Sequence, residues 1–261
     1  MEKHTDNSTI MEKERNRLMK IAVMGTGGVG GFFGGLLARS GLDVTFIARG
    51  QHLNAIQCNG LTVKSDLEGD FTVRSRATDD AGAVGSVDLI IYAVKMYHNP
   101  AALAAMKPLV GEHTVVLTLQ NGIENASLLE ISLGKNHVMV GAASVQAFIE
   151  QPGIISQKGN LGKITFGEIA DGITTRGEKL RQVFASGGWT VELTPKALRA
   201  IWTKFIFLTG SAEINAITQM TYGEMRTTME TRQLIFVAWS EIISIAQEKK
   251  VDLGNNTVEL C

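Results

Sequence analysis

Residues 21–38 read IAVMGTGGVGGFFGGLLA, eighteen positions without a charge, seven of them glycine. An uncharged run of that length is long enough to cross a membrane as a helix. Its details argue otherwise: Ile21 and Val23 open it with strand-type residues, glycines crowd its middle, and Arg39-Ser40 closes it. Strand, tight turn and helix account for all three features. In the turn, Gly25-Thr26-Gly27-Gly28-Val29-Gly30 is a GxGxxG that follows a predicted strand (20–24) and opens a predicted helix (about 29–40), the context in which the motif signals dinucleotide binding. Gly25 permits the sharp turn, Gly27 lets the backbone approach a pyrophosphate, and Gly30 allows close helix–strand packing. The helix N-terminus presents unpaired N–H groups to the phosphate oxygens.

Asp43 to Ala48 completes a βαβ unit, and the alternation continues. VDLIIYAV (87–94) and TVVLTL (114–119) are continuous apolar runs of the kind that a parallel strand buried on both faces requires. HVMVGAAS (137–144) is a further strand, and short strand-like pieces fall near 61–64 and 71–74 in an otherwise polar stretch. Helices predicted over Pro100–Leu109 and Ile123–Leu133 separate these strands, so the fold class is α/β, a Rossmann-like doubly wound parallel sheet. Gln146–Gly167 is expected to add antiparallel strands at the sheet's edge. A helix over 174–186 and a strand over Trp189–Leu193 would finish the domain. Beyond Pro195 the chain reads as helical, over 195–219 and about 222–249. The expected organisation is a solvated extension over 1–18, a dinucleotide-binding domain over 19–193 and an all-helical substrate or dimerisation domain over 194–261.

Charge excludes some partners. Lys plus Arg number 25 against 26 Asp plus Glu, a net charge of -1 that leaves no bulk field for nucleic acid or an anionic membrane. Residues 1–18 mix both signs of charge and have no apolar core, unlike a signal peptide. Cys58 and Cys261 form no CxxC and no disulfide framework, which fits the cytoplasm. The five histidines (His4, His52, His98, His113, His137) lack metal-ligand spacing, and His52 could at most assist Arg49 near the adenosine end.

Candidate site residues follow from where strands end. At the end of the second strand, where an acidic residue usually accepts hydrogen bonds from the NAD ribose, this chain has Ala48-Arg49. A guanidinium there can pair with a 2′-phosphate, which favours NADP over NAD. Lys95 follows VDLIIYAV and Asn121 follows TVVLTL, so either can meet the nicotinamide ribose or a substrate oxygen, or serve an ordinary turn. Lys204 has Ala200, Ile201, Phe207 and Leu208 as its helical neighbours. Its ammonium either snorkels to water, which spacing alone favours, or sits desolvated with a lowered pKa suited to proton transfer.

Together MKIAVMGTGGVGG, the Arg49 strand end, AVK (93–95), QNGIE (120–124) and IWTKFIFLTGSAEINAIT (201–218) resemble the ketopantoate reductase (2-dehydropantoate 2-reductase) family from Met19 onward. The resemblance implies an NADPH-binding Rossmann domain joined to an all-helical domain, and reduction of ketopantoate to pantoate on the route to pantothenate and coenzyme A. It implies that Gly25, Gly27 and Gly30, with Thr26, Gly28 and Val29 between them, hold the pyrophosphate, and that Arg49 holds the 2′-phosphate. Lys95 and Asn121 would lie near the nicotinamide ribose, with Asn121 also reaching the substrate. Lys204 would be the general acid that protonates the ketone oxygen, which reverses the preference for snorkelling. The chain also departs from the pattern. Leu208 stands where some members carry a substrate-binding asparagine, leaving Asn215 as the substrate-side amide. The family's later serine and glutamate fall beyond Cys261, and none of Glu213, Glu224 or Glu241 takes their place. The helical domain is thus expected to be incomplete, with apolar faces that a homodimer would cover. Reduction of another 2-oxo acid, or dinucleotide binding without catalysis, are the alternative readings.

Overall fold

The computed structural model describes residues 19–255 and Thr257. The extension expected over 1–18, and Cys261, lie outside the described residues. The uncharged run is divided as its glycines require. β1 (Lys20–Met24) enters a turn, and α1 (Gly28–Arg39) leads to β2 (Asp43–Ile47), which pairs parallel to β1 from Lys20↔Asp43 to Met24↔Ile47. On its other side β1 pairs with β6 (Val87–Tyr92), β6 with β7 (Val110–Thr118), and β7 with β8 (Val138–Gln151), all parallel.

Both faces of these strands are covered. Ile21 and Val23 pack with Phe32, Phe33, Leu36 and Leu37 of α1, all fully or almost fully buried. Alternate residues Ala22 and Met24 face the other way, against Ala102 and Met106 of α3 (Asn99–Met106) and Leu129 of α4 (Asn125–Leu133). Each large side chain so buried contributes about 1.5–3 kcal/mol. Among the described residues no helix is long and apolar enough to cross a membrane.

The antiparallel strands expected at the sheet's edge are inside it. β8 and β9 (Ile154–Gly167) form a long hairpin around Pro152-Gly153, and β9 has further neighbours beyond β8. Its register breaks opposite Val145/Gln146, and the two halves of β9 part company there. The tip half pairs with β3 (Leu61–Ser65), while the base half pairs with β10 (Thr190–Leu193). The outer edge on this side is β4 (Phe71–Val73), paired to β3; at the opposite edge β5 (Ala77–Thr78) adds to β2. The short strands between residues 61 and 74 cover the tip half of the hairpin and β10 covers its base half, which is why it lies inside the sheet.

Two helical expectations change. Residues 50–59, read as polar chain, are α2 (Gly50–Asn59), which buries only Leu53 and Ile56. The helix expected over 222–249 is two, α7 (Tyr222–Thr227) and α8 (Met229–Glu248), separated at Thr228 with φ -89° and ψ 125°. Thr227, Thr228 and Thr231 each donate a hydroxyl hydrogen bond to carbonyls in this stretch, a local alternative to the helical ladder. α5 (Thr175–Ala185) precedes β10, and α6 (Ala197–Thr218) lies between β10 and these two helices. α6 and α8 pack through Trp202, Ile206, Ile214, Ile235, Trp239 and Ile242. Ile217, Leu234, Phe236, Val237 and Ile245 remain exposed on the same helices.

Candidate active site

From β1 the chain runs to β2 on one side and returns to β6 on the other, so the sheet has a topological switch point at β1. A crevice beyond the carboxyl ends of the strands is expected there, and the structure has a cleft of about 600 Å³ at that place. Met24–Val29 line it from the β1–α1 turn, and Ile47–Arg49 with His52 from the end of β2 and the start of α2. Ala93–His98 and Leu119–Asn121 contribute from the turns after β6 and β7, and Ala147 and Ile149 from β8.

The glycine-rich turn is shaped for close approach. Gly25 has φ +99°, and a Cβ there would stand 2.8 Å from the backbone nitrogen of Val94. A Cβ on Gly28 would collide with the carbonyl of Ala147, whereas in front of Gly27 there is open space. Gly30 does not line the cleft; it lets α1 lie against the Gly25 carbonyl and Val23. Thr26 is buried, and its hydroxyl and its N–H both donate to the Ile47 carbonyl, at 3.1 and 3.3 Å. Its side chain fixes the turn instead of offering a hydroxyl to a ligand. Open space at Gly27, unpaired N–H groups in the first turn of α1 and no acidic residue in that turn suit an anionic pyrophosphate. Arg49 is exposed at the rim as the N-cap of α2, whose first turn also lacks an acid.

Beneath the turns after β6 and β7 runs a buried polar network. Tyr92 donates its hydroxyl to Asn99 Oδ1 at 3.1 Å, and Gln120 Nε2 donates to the same oxygen and to the Val94 carbonyl, both at 2.7 Å. Asn99 Nδ2 donates to Asn125 Oδ1 at 3.1 Å, and Asn125 Nδ2 to the Asn121 carbonyl at 2.8 Å. Burial pushes the Tyr92 phenol up to about 12, so it stays a donor. These bonds fix the backbone from which Lys95 and Asn121 project. Buried amides at 99, 120 and 125 carry no periodic signature, and sequence reasoning missed them; Gln120 beside Asn121 was the visible sign.

Lys204 lies on α6 and does not line the cleft, but it is turned inward. Its Nζ donates to the Ala143 carbonyl of β8 at 2.6 Å, and desolvation brings its pKa down to about 8. Of its two possible placements, the desolvated one is observed. Ala143 is three residues beyond Val140, and Asn121 three beyond Thr118, the residues that pair across β7 and β8. The lysine is thus anchored on β8 beyond the last residue pair it shares with β7, the strand whose following turn carries Asn121. Asn215 is elsewhere: it is exposed, and its Nδ2 donates to the Met220 carbonyl at 2.6 Å, closing the end of α6. Glu224 belongs to a capping box with Thr221, and Glu213 and Glu241 are exposed.

A glycine-rich strand–turn–helix at a switch point, with a helical region joined to β8 through Lys204, is the arrangement of Rossmann-type oxidoreductases. Residues 21–171 match the family described as ketopantoate reductase PanE/ApbA, and residues 196–259 match its C-terminal region. The chain belongs to the ketopantoate reductase family. It is 26% identical to the 2-dehydropantoate 2-reductase of Halobacterium salinarum over 92% of its own length and 79% of that protein's. To that of Pyrococcus horikoshii it is 32% identical, covering 80% of this chain and 67% of the relative. Among solved structures, 2-dehydropantoate 2-reductase from Porphyromonas gingivalis W83 superposes with a TM-score of 0.86 at 28% identity, covering 93% of this chain and 86% of that one. D-mandelate dehydrogenase bound to NADH shares the fold, with a TM-score of 0.84 at 22% identity over 93% of this chain and 77% of that one.

Proposed function

We propose that this protein reduces the keto group of 2-dehydropantoate (ketopantoate) to pantoate with NADPH, supplying pantothenate and coenzyme A synthesis. The observation that carries the reading is the placement of Lys204, anchored on β8 four residues from the Ala147 carbonyl that presses on Gly28. In this reading Gly25–Val29 and the first turn of α1 hold the pyrophosphate, with Gly30 supporting them from behind. Arg49 and the N-terminus of α2 take the 2′-phosphate; an arginine without a neighbouring acid selects NADPH over NADH. Lys95 and Asn121 hold the nicotinamide ribose, and Asn121 also orients the substrate. A nicotinamide bound here supplies a hydride to the keto carbon. Lys204 supplies the proton to its oxygen, and a lysine near pH 8 gives up and regains a proton readily at neutral pH. Asn215, committed to Met220, receives no substrate role.

The test is NADPH oxidation with ketopantoate, compared with NADH and with Lys204→Ala. Rapid turnover lost in the variant supports the reading, and NADPH binding without turnover on any 2-oxo acid refutes it. A second reading, reduction of another 2-oxo acid, is favoured by half-buried Leu208, one turn beyond Lys204, which offers no polar group to a hydroxylated substrate; a panel of 2-oxo acids separates the two. The same reading places the protein in the cytoplasm as a homodimer through exposed Ile217, Leu234, Phe236 and Val237. Sedimentation as a monomer would refute the dimer.

A further inference from the structure

His52 joins three elements that meet at the cradle. Its Nε2 is 2.8 Å from the Thr26 carbonyl, inside the glycine-rich turn, and its Nδ1 is 3.0 Å from the backbone nitrogen of Gly153. A backbone N–H can only donate, so Nδ1 accepts and carries no proton; the ring proton sits on Nε2 and is donated to Thr26. The two contacts therefore select one neutral tautomer. Burial holds the imidazole below the ordinary histidine range, in keeping with a neutral ring.

The two partners are well placed. Thr26 is tied to Ile47 through its N–H and its hydroxyl, so His52 supplies the remaining backbone tie, at the carbonyl. Gly153 is at the tip of the β8–β9 hairpin, and a Cβ there would come within 2.9 Å of the Ala55 side chain on α2. The same hairpin sets the Ala147 carbonyl against Gly28. Turn, hairpin and α2 are locked together through one imidazole, on residues whose backbone shapes the space in front of Gly27.

We propose that His52 is a positioning residue for dinucleotide binding, holding the Gly25–Gly27 turn at the spacing from the hairpin that a pyrophosphate needs. The inference rests on the cofactor reading above. It deepens it by making cofactor affinity depend on a residue beyond the GxGxxG motif. Arg49 would read the 2′-phosphate, while His52 would act equally on phosphorylated and unphosphorylated dinucleotides.

The experiment uses the full chain with His52→Phe, which keeps ring volume without either bond, His52→Asn, which keeps an acceptor for Gly153, and His52→Gln, which keeps a donor for Thr26. Dissociation constants for NADPH and NADH come from fluorescence titration, KM and kcat from turnover, and folding from thermal melts. His52→Phe should weaken both dinucleotides about tenfold, the factor that ~1.4 kcal/mol corresponds to, with KM for NADPH rising more than kcat falls. Asn and Gln should fall between it and the wild type. Unchanged affinity in His52→Phe, or lower melting temperatures with no change in affinity in all three variants, would overturn the proposal. A wild-type protein that binds neither dinucleotide would refute the cofactor reading instead. In that case the imidazole 15N signals still test the bridge, because a protonated Nδ1 in the ligand-free protein is incompatible with it.

Discussion

Replacing Lys204 by methionine should make the protein more stable at pH 7 and inactive. An unfolded chain holds this ammonium up to about 10.5, whereas the folded protein releases it at about 8. Between those values the unfolded state binds the additional proton, so stability rises with pH across that window and is flat below it. The interval corresponds to about 3 kcal/mol of penalty for the charged form at neutral pH. Methionine removes the penalty and keeps most of the volume. It also leaves the Ala143 carbonyl without its donor, at a cost of about 1 kcal/mol. The net gain at pH 7 is about 2 kcal/mol, or about 4–8 °C in melting temperature for a chain of this size. At pH 10.5 the wild-type lysine is neutral, only the hydrogen bond distinguishes the two proteins, and the wild type should be more stable by about 1 kcal/mol. The two stability curves must therefore cross between pH 8 and 10.5. Urea titrations followed by tryptophan fluorescence at several pH values measure both. Parallel curves, or a variant less stable than the wild type at pH 7, would refute the claim that the ammonium is desolvated.

Other consequences are separable. Reduction of a 2-oxo acid should slow as pH rises through about 8, because the proton donor is lost; a rate flat from pH 6 to 10 would remove Lys204 from that role. Arg49→Ala should weaken NADPH by about ten- to a hundredfold and leave NADH within about twofold, as expected for a charge-assisted pair worth about 1.5–3 kcal/mol, and equal losses would show that Arg49 does not read the 2′-phosphate. Gly28→Ala should destabilise strongly because its Cβ meets the Ala147 carbonyl, whereas Gly27→Val, facing open space, should fold and lose dinucleotide binding; comparing melts with titrations decides. Asn215→Ala should leave kcat/KM within about twofold, since its amide is bonded to Met220; a large loss would return it to the substrate side.

The parts of this fold legible in the sequence are those that apolar pattern determines. β1, α1, β2 and β6 had only to be recognised as runs buried on one face or both, and the GxGxxG placed the cradle among them. α2 was missed because two inward residues, Leu53 and Ile56, are too few to show a period in a polar segment. Local pattern sets the hairpin at the edge because strand order is a long-range property; nothing local in Leu61–Ser65 says that it will pair with Ile154–Gly167. The cleft residues were legible by type, through glycine, arginine, lysine and asparagine at strand ends. Their supports were not. Ala143 and Ile47 act through backbone carbonyls, which any residue supplies, so the sequence marks one side of each of these contacts and leaves the other blank.

β8 gives the molecule a built-in ruler. Ala143 receives Lys204 and Ala147 faces Gly28, so about 13 Å of one strand separates the anchor of the lysine from the glycine-rich turn. Lineages descending from such a protein would be free to lengthen the loops around the cleft and to rewrite the outer helices. A residue inserted or deleted between positions 143 and 147 would instead slide one anchor against the other and reverse the faces of the strand. This short span is where length should vary least, and anyone grafting a different helical region onto this sheet would have to keep it intact.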